Sequence, residues 1–204
     1  RGQRRAARRA RPVRVRHPRL VLVAPGVRVL NAHVPNTDPY PWPYDGRPTG
    51  PHLALVLAGW DEHWVTRVTA TDPVLGVCGR LADAVVALGG LVMGVSHGGA
   101  RGLPLPAPGR AVAADGIDAF YGSAVDPELR RSGCSHLLIA GFGLEGPVHS
   151  TLRSANDRGY ECLVLADCVG SYFPDLHAAA LTMIAAQGGI FGWVAPSEAL
   201  LAAL

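Results

Sequence analysis

The sequence predicts an α/β fold, three layers deep (α/β/α), around a central and mainly parallel sheet of the Rossmann-like kind. Three observations lead there. From residue 73 onward, short apolar runs alternate with stretches whose apolar residues recur at helical spacing, the pattern of a parallel sheet covered on both faces. Glycine, proline and aspartate mark the joins between those stretches. At 204 residues, 49% of them apolar and 6% aromatic, the chain suits one such domain with a full core.

Taken in order, Arg19–Val23 is a short apolar run closed by Ala24-Pro25-Gly26, which predicts a buried first strand. Residues 31–52 hold prolines at 35, 39, 41, 43, 48 and 51, with Tyr40, Trp42 and Tyr44 between them. A loop this long is either an arm that presents its aromatics outward or a surface loop whose rings pack on their own domain, and both readings stand at this point. Apolar spacing over 74–88 predicts a helix ended by Gly89-Gly90, followed by a strand over 91–95. A short strand over 110–114 comes next. Asp126-Pro127 opens a helix to Gly133. Strand 136–140, helix 147–158, strand 161–166, helix 174–187 and strand 190–194 follow, and Ser197 caps a last helix over 198–204.

Charge is unevenly placed. The chain has no lysine, and nine of its 19 arginines lie between Arg1 and Arg19 with no carboxylate among them. The rest of the chain carries 10 arginines against 16 carboxylates, so the net +3 belongs to a basic tail on an acidic body. Such a tail suits nucleic acid, an anionic lipid surface or an acidic partner. It equally suits a solvated extension, the preferred reading, so neither nucleic acid nor membrane is expected as a partner. Residues 1–18 are accordingly read as a flexible extension and 19–204 as a single domain. No secretory signal is read, because LVLVA stops at Pro25, and Ala178–Ala195 is interrupted by Gln187-Gly188-Gly189 and reads as helix, turn and strand. Cys78, Cys134, Cys162 and Cys168 form no C-x-x-C pair and have no histidines at zinc spacing. They are read as reduced thiols of a cytoplasmic protein, with no metal and no cofactor.

The stretch GFGLEGPVHSTLRSANDRGYECLVLADC, Gly141–Cys168, resembles the signature of the isochorismatase-like cysteine hydrolases. In the branch that contains N-carbamoylsarcosine amidase and biuret hydrolase, that signature reads G-x-x-T-S-G-C-V-x-x-T, then a helix, Gly-Tyr, a strand and Asp-Ala. Gly146, Val148, Thr151, Gly159, Tyr160 and Asp167 fall on matching positions, and Pro147 falls on the nucleophilic cysteine. The resemblance covers about residues 19–194 and is specific over 114–168. It implies an isochorismatase-like sheet with a site of three groups at the carboxyl ends of the strands. An aspartate ending the first strand takes the thiol proton, a lysine stabilises the anion, and the thiolate attacks an amide or ureido carbonyl while two backbone N–H groups hold the oxyanion.

Carried over residue by residue, the aspartate falls on Ala24, the lysine on Ala114 through Asp118-Ala119-Phe120, and the cysteine on Pro147. The vinyl ether route of the isochorismatases proper needs that same aspartate. The resemblance therefore implies a catalytically degenerate homologue, a structural or regulatory subunit in a homo- or hetero-oligomer with a catalytically intact amide or ureide hydrolase paralogue. The alternative is an active hydrolase of amide, ureido or vinyl ether substrates with Glu145 and His149 as relocated acid and base. A third reading keeps a small-molecule ligand in a vestigial pocket of His97, Asp118, Phe120, Leu144 and Gly146. Asp115 lies near the lysine position as well. Gly141-Phe142-Gly143 with Gly146, and Asp167 ending the next strand, loosely follow a dinucleotide-binding pattern. The hydrolase resemblance accounts for the same residues better.

Overall fold

Leu53–Ala58 is a run of six apolar residues, and all six are buried. A strand covered on both faces is the element that uses such a run. In the computed structural model, which describes residues 33–44, 46, 48, 50–68 and 71–204, this strand, β1, lies at the centre of the sheet. The first strand and chain position expected at residues 19–24, with Ala24 at its end, lie outside the described residues. β1 pairs with the strand His136–Phe142, and Ala58 stands at its carboxyl end beside Gly141.

The others are β2 (Leu91–His97), β3 (Arg110–Ala114), β4 (His136–Phe142), β5 (Glu161–Gly170) and β6 (Trp193–Ala195). All pair in parallel, in the order β3-β2-β1-β4-β5-β6. Six helices connect and cover them: α1 (Glu62–Val65), α2 (Thr71–Ala87), α3 (Val125–Arg131), α4 (His149–Asp157), α5 (His177–Gly189) and α6 (Ser197–Ala203). Helix α2 buries Val74, Cys78, Leu81, Ala82 and Val85, one face at helical spacing. With α6 it covers the sheet face of Leu55, Leu57, Leu138 and Leu163. Helices α3, α4 and α5 cover the opposite face, of Val56, Met93, Ile139 and Val164. Among the described residues no helix is long and apolar enough to cross a membrane.

Three boundaries differ from expectation for physical reasons. β5 runs on to Gly170 because the pairing jumps from Ile139↔Val164 to Gly141↔Val169, a bulge that lets residues 165–168 reach toward α6. Helix α5 loses helical geometry over Ala186–Gly188, so β6 begins later than expected. Helix α4 starts at His149 rather than Pro147, because the chain first makes a wide five-residue turn over Leu144–Val148.

The proline-rich segment packs on its own domain. Trp42 is fully buried and meets the His136 ring edge-on at 5.8 Å. Asp38 and Val194 exchange both backbone hydrogen bonds, at 2.9 and 3.0 Å, which closes the β6 edge. Tyr40 packs edge-on against Trp193 at 5.3 Å, and Tyr44 stays 63% exposed while its N–H donates to the Glu161 carboxylate. His136 and Glu161 begin β4 and β5, so this segment sits at the end of the sheet opposite the strand termini where a site is expected. Trp42→Ala removes a large side chain from a closed space and is expected to lower stability by about 3–5 kcal/mol, read from urea unfolding. A loss within surface-mutant range would show that the segment does not belong to the core.

Candidate functional site

Strand order reverses between β1 and β4, and in open α/β sheets the crevice at such a reversal, outside the carboxyl ends, is where ligands bind. Here the two strands leave little room. Gly59, just past β1, has φ +62°, and a Cβ there would lie 2.2 Å from the Phe142 carbonyl oxygen and 3.4 Å from the Pro147 Cβ. The turn after β4 begins at Gly143, φ +74°, whose carbonyl accepts from the N–H of Gly146 at 3.0 Å and of Val148 at 3.2 Å. Pro147 is buried within that turn and has no N–H to offer. The Trp64 indole, carried by α1, lies across it. A Cβ on Gly143 would come within 2.5 Å of that ring, and one on Gly146 within 3.0 Å. The position that resembles the nucleophile's is thus filled by a buried pyrrolidine ring, in a turn whose glycines lie against an indole.

The other carried-over positions scatter by role. Ala114 ends β3 and is buried. Asp118 accepts from the Phe120 N–H at 2.9 Å and the Ser154 hydroxyl at 2.6 Å. Phe120 is packed between the Tyr160 ring and the Arg158 guanidinium, and Leu144 is wholly buried in the core. Asp118, Phe120 and Leu144 therefore join the loop after β3 and the turn after β4 to the body, while His97 and Gly146 line two different clefts. Asp115 lines one too.

Glu145 accepts from the N–H groups of Tyr172 at 3.1 Å and Phe173 at 2.9 Å. His149 turns elsewhere: its Nδ1 accepts from Arg153 Nε at 3.1 Å and its ring meets Phe191 edge-on. Burial first, and the Arg153 charge second, hold the His149 pKa below its usual value. Asp167 receives the Ser197 N–H at 2.7 Å and its hydroxyl at 2.5 Å, so its carboxylate is engaged at the start of α6. All four cysteines are buried free thiols, and none lines the clefts beside His97 and Glu145. Burial pushes the Cys134 thiol up to about 11 and raises Cys162 as well. The neighbouring Cys78, then burial, raises Cys168. Thiolate chemistry at neutral pH is disfavoured at each of these three.

One polar pair at the strand ends has no counterpart in the sequence reading. Asp61, three residues beyond β1, is fully buried; it accepts from Trp64 N–H at 3.0 Å, as the cap of α1, and from His97 N–H at 3.0 Å. His97, at the end of β2 and 5% exposed, brings its Nδ1 to 3.5 Å from the same carboxylate. That contact is an ion-pair distance rather than a well-formed hydrogen bond, and neither ring nitrogen has one. Burial pushes the Asp61 pKa up, but the His97 side chain, the two backbone N–H groups and the His97 charge together outweigh it and hold the carboxyl below its ordinary value. The signal for Asp61 was present in the sequence as a cap residue before a short helix. Its pairing with His97, 36 residues on, was not. His97 borders a cleft of about 490 Å³ with His63, Trp64 and Asp115. Among the described residues no three His, Cys, Asp or Glu side chains come together to hold a metal ion.

The Isochorismatase domain family matches residues 100–198. The chain is 38% identical over 86 residues to the ureidoacrylate amidohydrolase RutB of Methylobacterium radiotolerans, covering 42% of this chain and 32% of that one. It is 32% identical over 66 residues to the uncharacterized isochorismatase family protein YwoC of Bacillus subtilis, covering 32% and 35%. The chain thus spans about a third of the length of these curated relatives. An isochorismatase family protein from Burkholderia thailandensis superposes with a TM-score of 0.65 at 24% identity, over 76% of this chain and 96% of that one. The nicotinamidase of Staphylococcus aureus does so with 0.62 at 18%, over 71% and 98%. These structural likenesses establish the fold.

Asp61→Asn is expected to cost roughly 1–3 kcal/mol at neutral pH, since charge-assisted hydrogen bonds weaken. The folded pKa lies below the unfolded one, so this contribution is complete above the unfolded value and disappears as pH falls through the folded value. Urea unfolding of both proteins down the acid limb should show the stability gap closing; a gap independent of pH would sink this account of Asp61.

Proposed function

The chain belongs to the isochorismatase-like hydrolase superfamily, and we propose that within it this protein is a non-catalytic member, a structural or regulatory subunit that assembles with a catalytically intact amide or ureide hydrolase paralogue. What carries this reading is the occupant of the reversal crevice. Pro147 stands at the nucleophile position, has neither thiol nor N–H, and is buried in a turn whose glycines at 143 and 146 lie against Trp64. The strand-end positions that resemble those of the base and the cation hold Ala58 and Ala114, both buried. Nucleophile, proton acceptor and one oxyanion donor are thus replaced by apolar groups, which offer the developing charges of acyl transfer nothing. The amidohydrolase named among the relatives supports an amide or ureide hydrolase as the class of the partner.

The alternative, an active hydrolase with Glu145 as acid and His149 as base, has less support. The two side chains are committed in different directions, one to the loop after β5 and the other to Arg153 and Phe191. An acid–base pair needs both groups within reach of one reacting atom.

Purified protein is expected to show no turnover of a ureide and amide panel, and Pro147→Cys alone to leave it inert, because base and cation are still lacking. Turnover by the wild type that Glu145→Gln abolishes would overturn the reading. Affinity purification from the native host, followed by mass spectrometry, is expected to recover at fixed stoichiometry a second isochorismatase-like chain with cysteine at the position of Pro147. Recovery of this chain alone, as a homo-oligomer, counts against the hetero-oligomer.

A further inference from the structure

Trp64 divides the crevice, and its second side holds a pocket unlike the first. This pocket, of about 330 Å³, is lined by the rings of His63, Trp64, Tyr172 and Phe173 together with Arg67, Glu145 and Gly146. Tyr172 and Phe173 stand edge to face at 4.5 Å and remain 42% and 53% exposed. Glu145 fixes the loop that carries them by accepting their two backbone N–H groups, one on each oxygen. A carboxylate oxygen has a second lone pair, so both oxygens keep acceptor capacity. Arg67 spends one N–H on the His63 carbonyl, and no carboxylate pairs with it among the described residues.

The decisive observation is that an acid and a base border one small pocket without pairing with each other. Two charged groups with no ion-pair partner among the described residues, beside aromatic faces, suit a ligand that carries both charges. Aromatic faces attract a cation most strongly where it is partly desolvated. A planar guanidinium is the natural receiver of a carboxylate. The volume, at the low end for ligand sites, has room for a guest the size of an amino acid or a betaine.

We propose that this pocket binds a small zwitterion, with its cationic group against Trp64, Phe173 and Glu145 and its carboxylate on Arg67. The inference goes beyond the subunit reading and does not rest on it. Binding is measured on the isolated chain, so a failure here leaves the assembly untouched, and a failure to assemble leaves the pocket untouched.

Calorimetry at low salt with glycine betaine, and in parallel with L-proline, tests it. Choline supplies the cation without the carboxylate. 3,3-Dimethylbutanoate supplies the carboxylate with an uncharged tert-butyl group in place of the trimethylammonium. At least one zwitterion is expected to saturate a single site, and both comparators to bind weaker by about tenfold or more. Arg67→Gln should reduce the zwitterion to the level of choline, and Phe173→Ala should weaken it by about threefold or more. Both positions are exposed, and circular dichroism checks that the variants keep the fold. No saturation by either zwitterion, equal binding of choline, or indifference to Arg67→Gln each overturns the proposal.

Discussion

The close approach of β1 and β4 at their carboxyl ends governs the rest of this molecule. Ala58 pairs with Gly141, whose φ is +119° and where a Cβ would lie 2.0 Å from the Ala58 carbonyl oxygen. Gly59 meets the Phe142 carbonyl in the same way from the other strand. Backbone therefore touches backbone where a ligand crevice usually opens, and only glycine, free of Cβ and at ease with positive φ, allows it. The turn over Leu144–Val148 then has one place to go. It tucks Pro147 beside Gly59, and Trp64 closes over the glycines at 143 and 146.

With apolar groups in the middle, polar chemistry is displaced to the flanks. On the β2–β3 side, Asp61 and His97 form a buried pair whose carboxylate is satisfied by backbone N–H groups. On the β4–β5 side, Glu145 and Arg67 face a smaller aromatic pocket. Trp64 belongs to both walls. The indole is at once the plug of the reversal crevice and the partition between two clefts of different character, which is why α1, only four residues long, matters more than its size suggests. Its geometry depends on Asp61, which caps it and anchors it to β2.

Much of the architecture was legible in the chain. The helices after residue 71 and the strands from β2 onward follow from apolar periodicity and glycine stops, which are local signals. That Ala114 ends a strand and Pro147 lies in the turn before a helix was legible, because the stretch 114–168 carries a dense motif whose register leaves little freedom. β1 was not. Its six apolar residues directly follow a proline-rich segment, while 19–23 offers a rival run of equal quality, and composition cannot rank two such runs. The place of 53–58 at the centre of the sheet rests on pairing with β2 and β4, a property of residues 35 or more positions away.

The sequence by itself determined the fold class, the family resemblance and the absence of lysine, because each depends on residue identity and short-range spacing. Tertiary structure decided which strand is central, that Trp42 is core rather than an outward anchor, that Asp167 is engaged at the start of α6, and that Asp61 meets His97. It also decided that Glu145 and Arg67 border one pocket without pairing. All of these are contacts between segments whose separation along the chain leaves no trace in local pattern, and they exist only once a parallel sheet has brought the strand ends together.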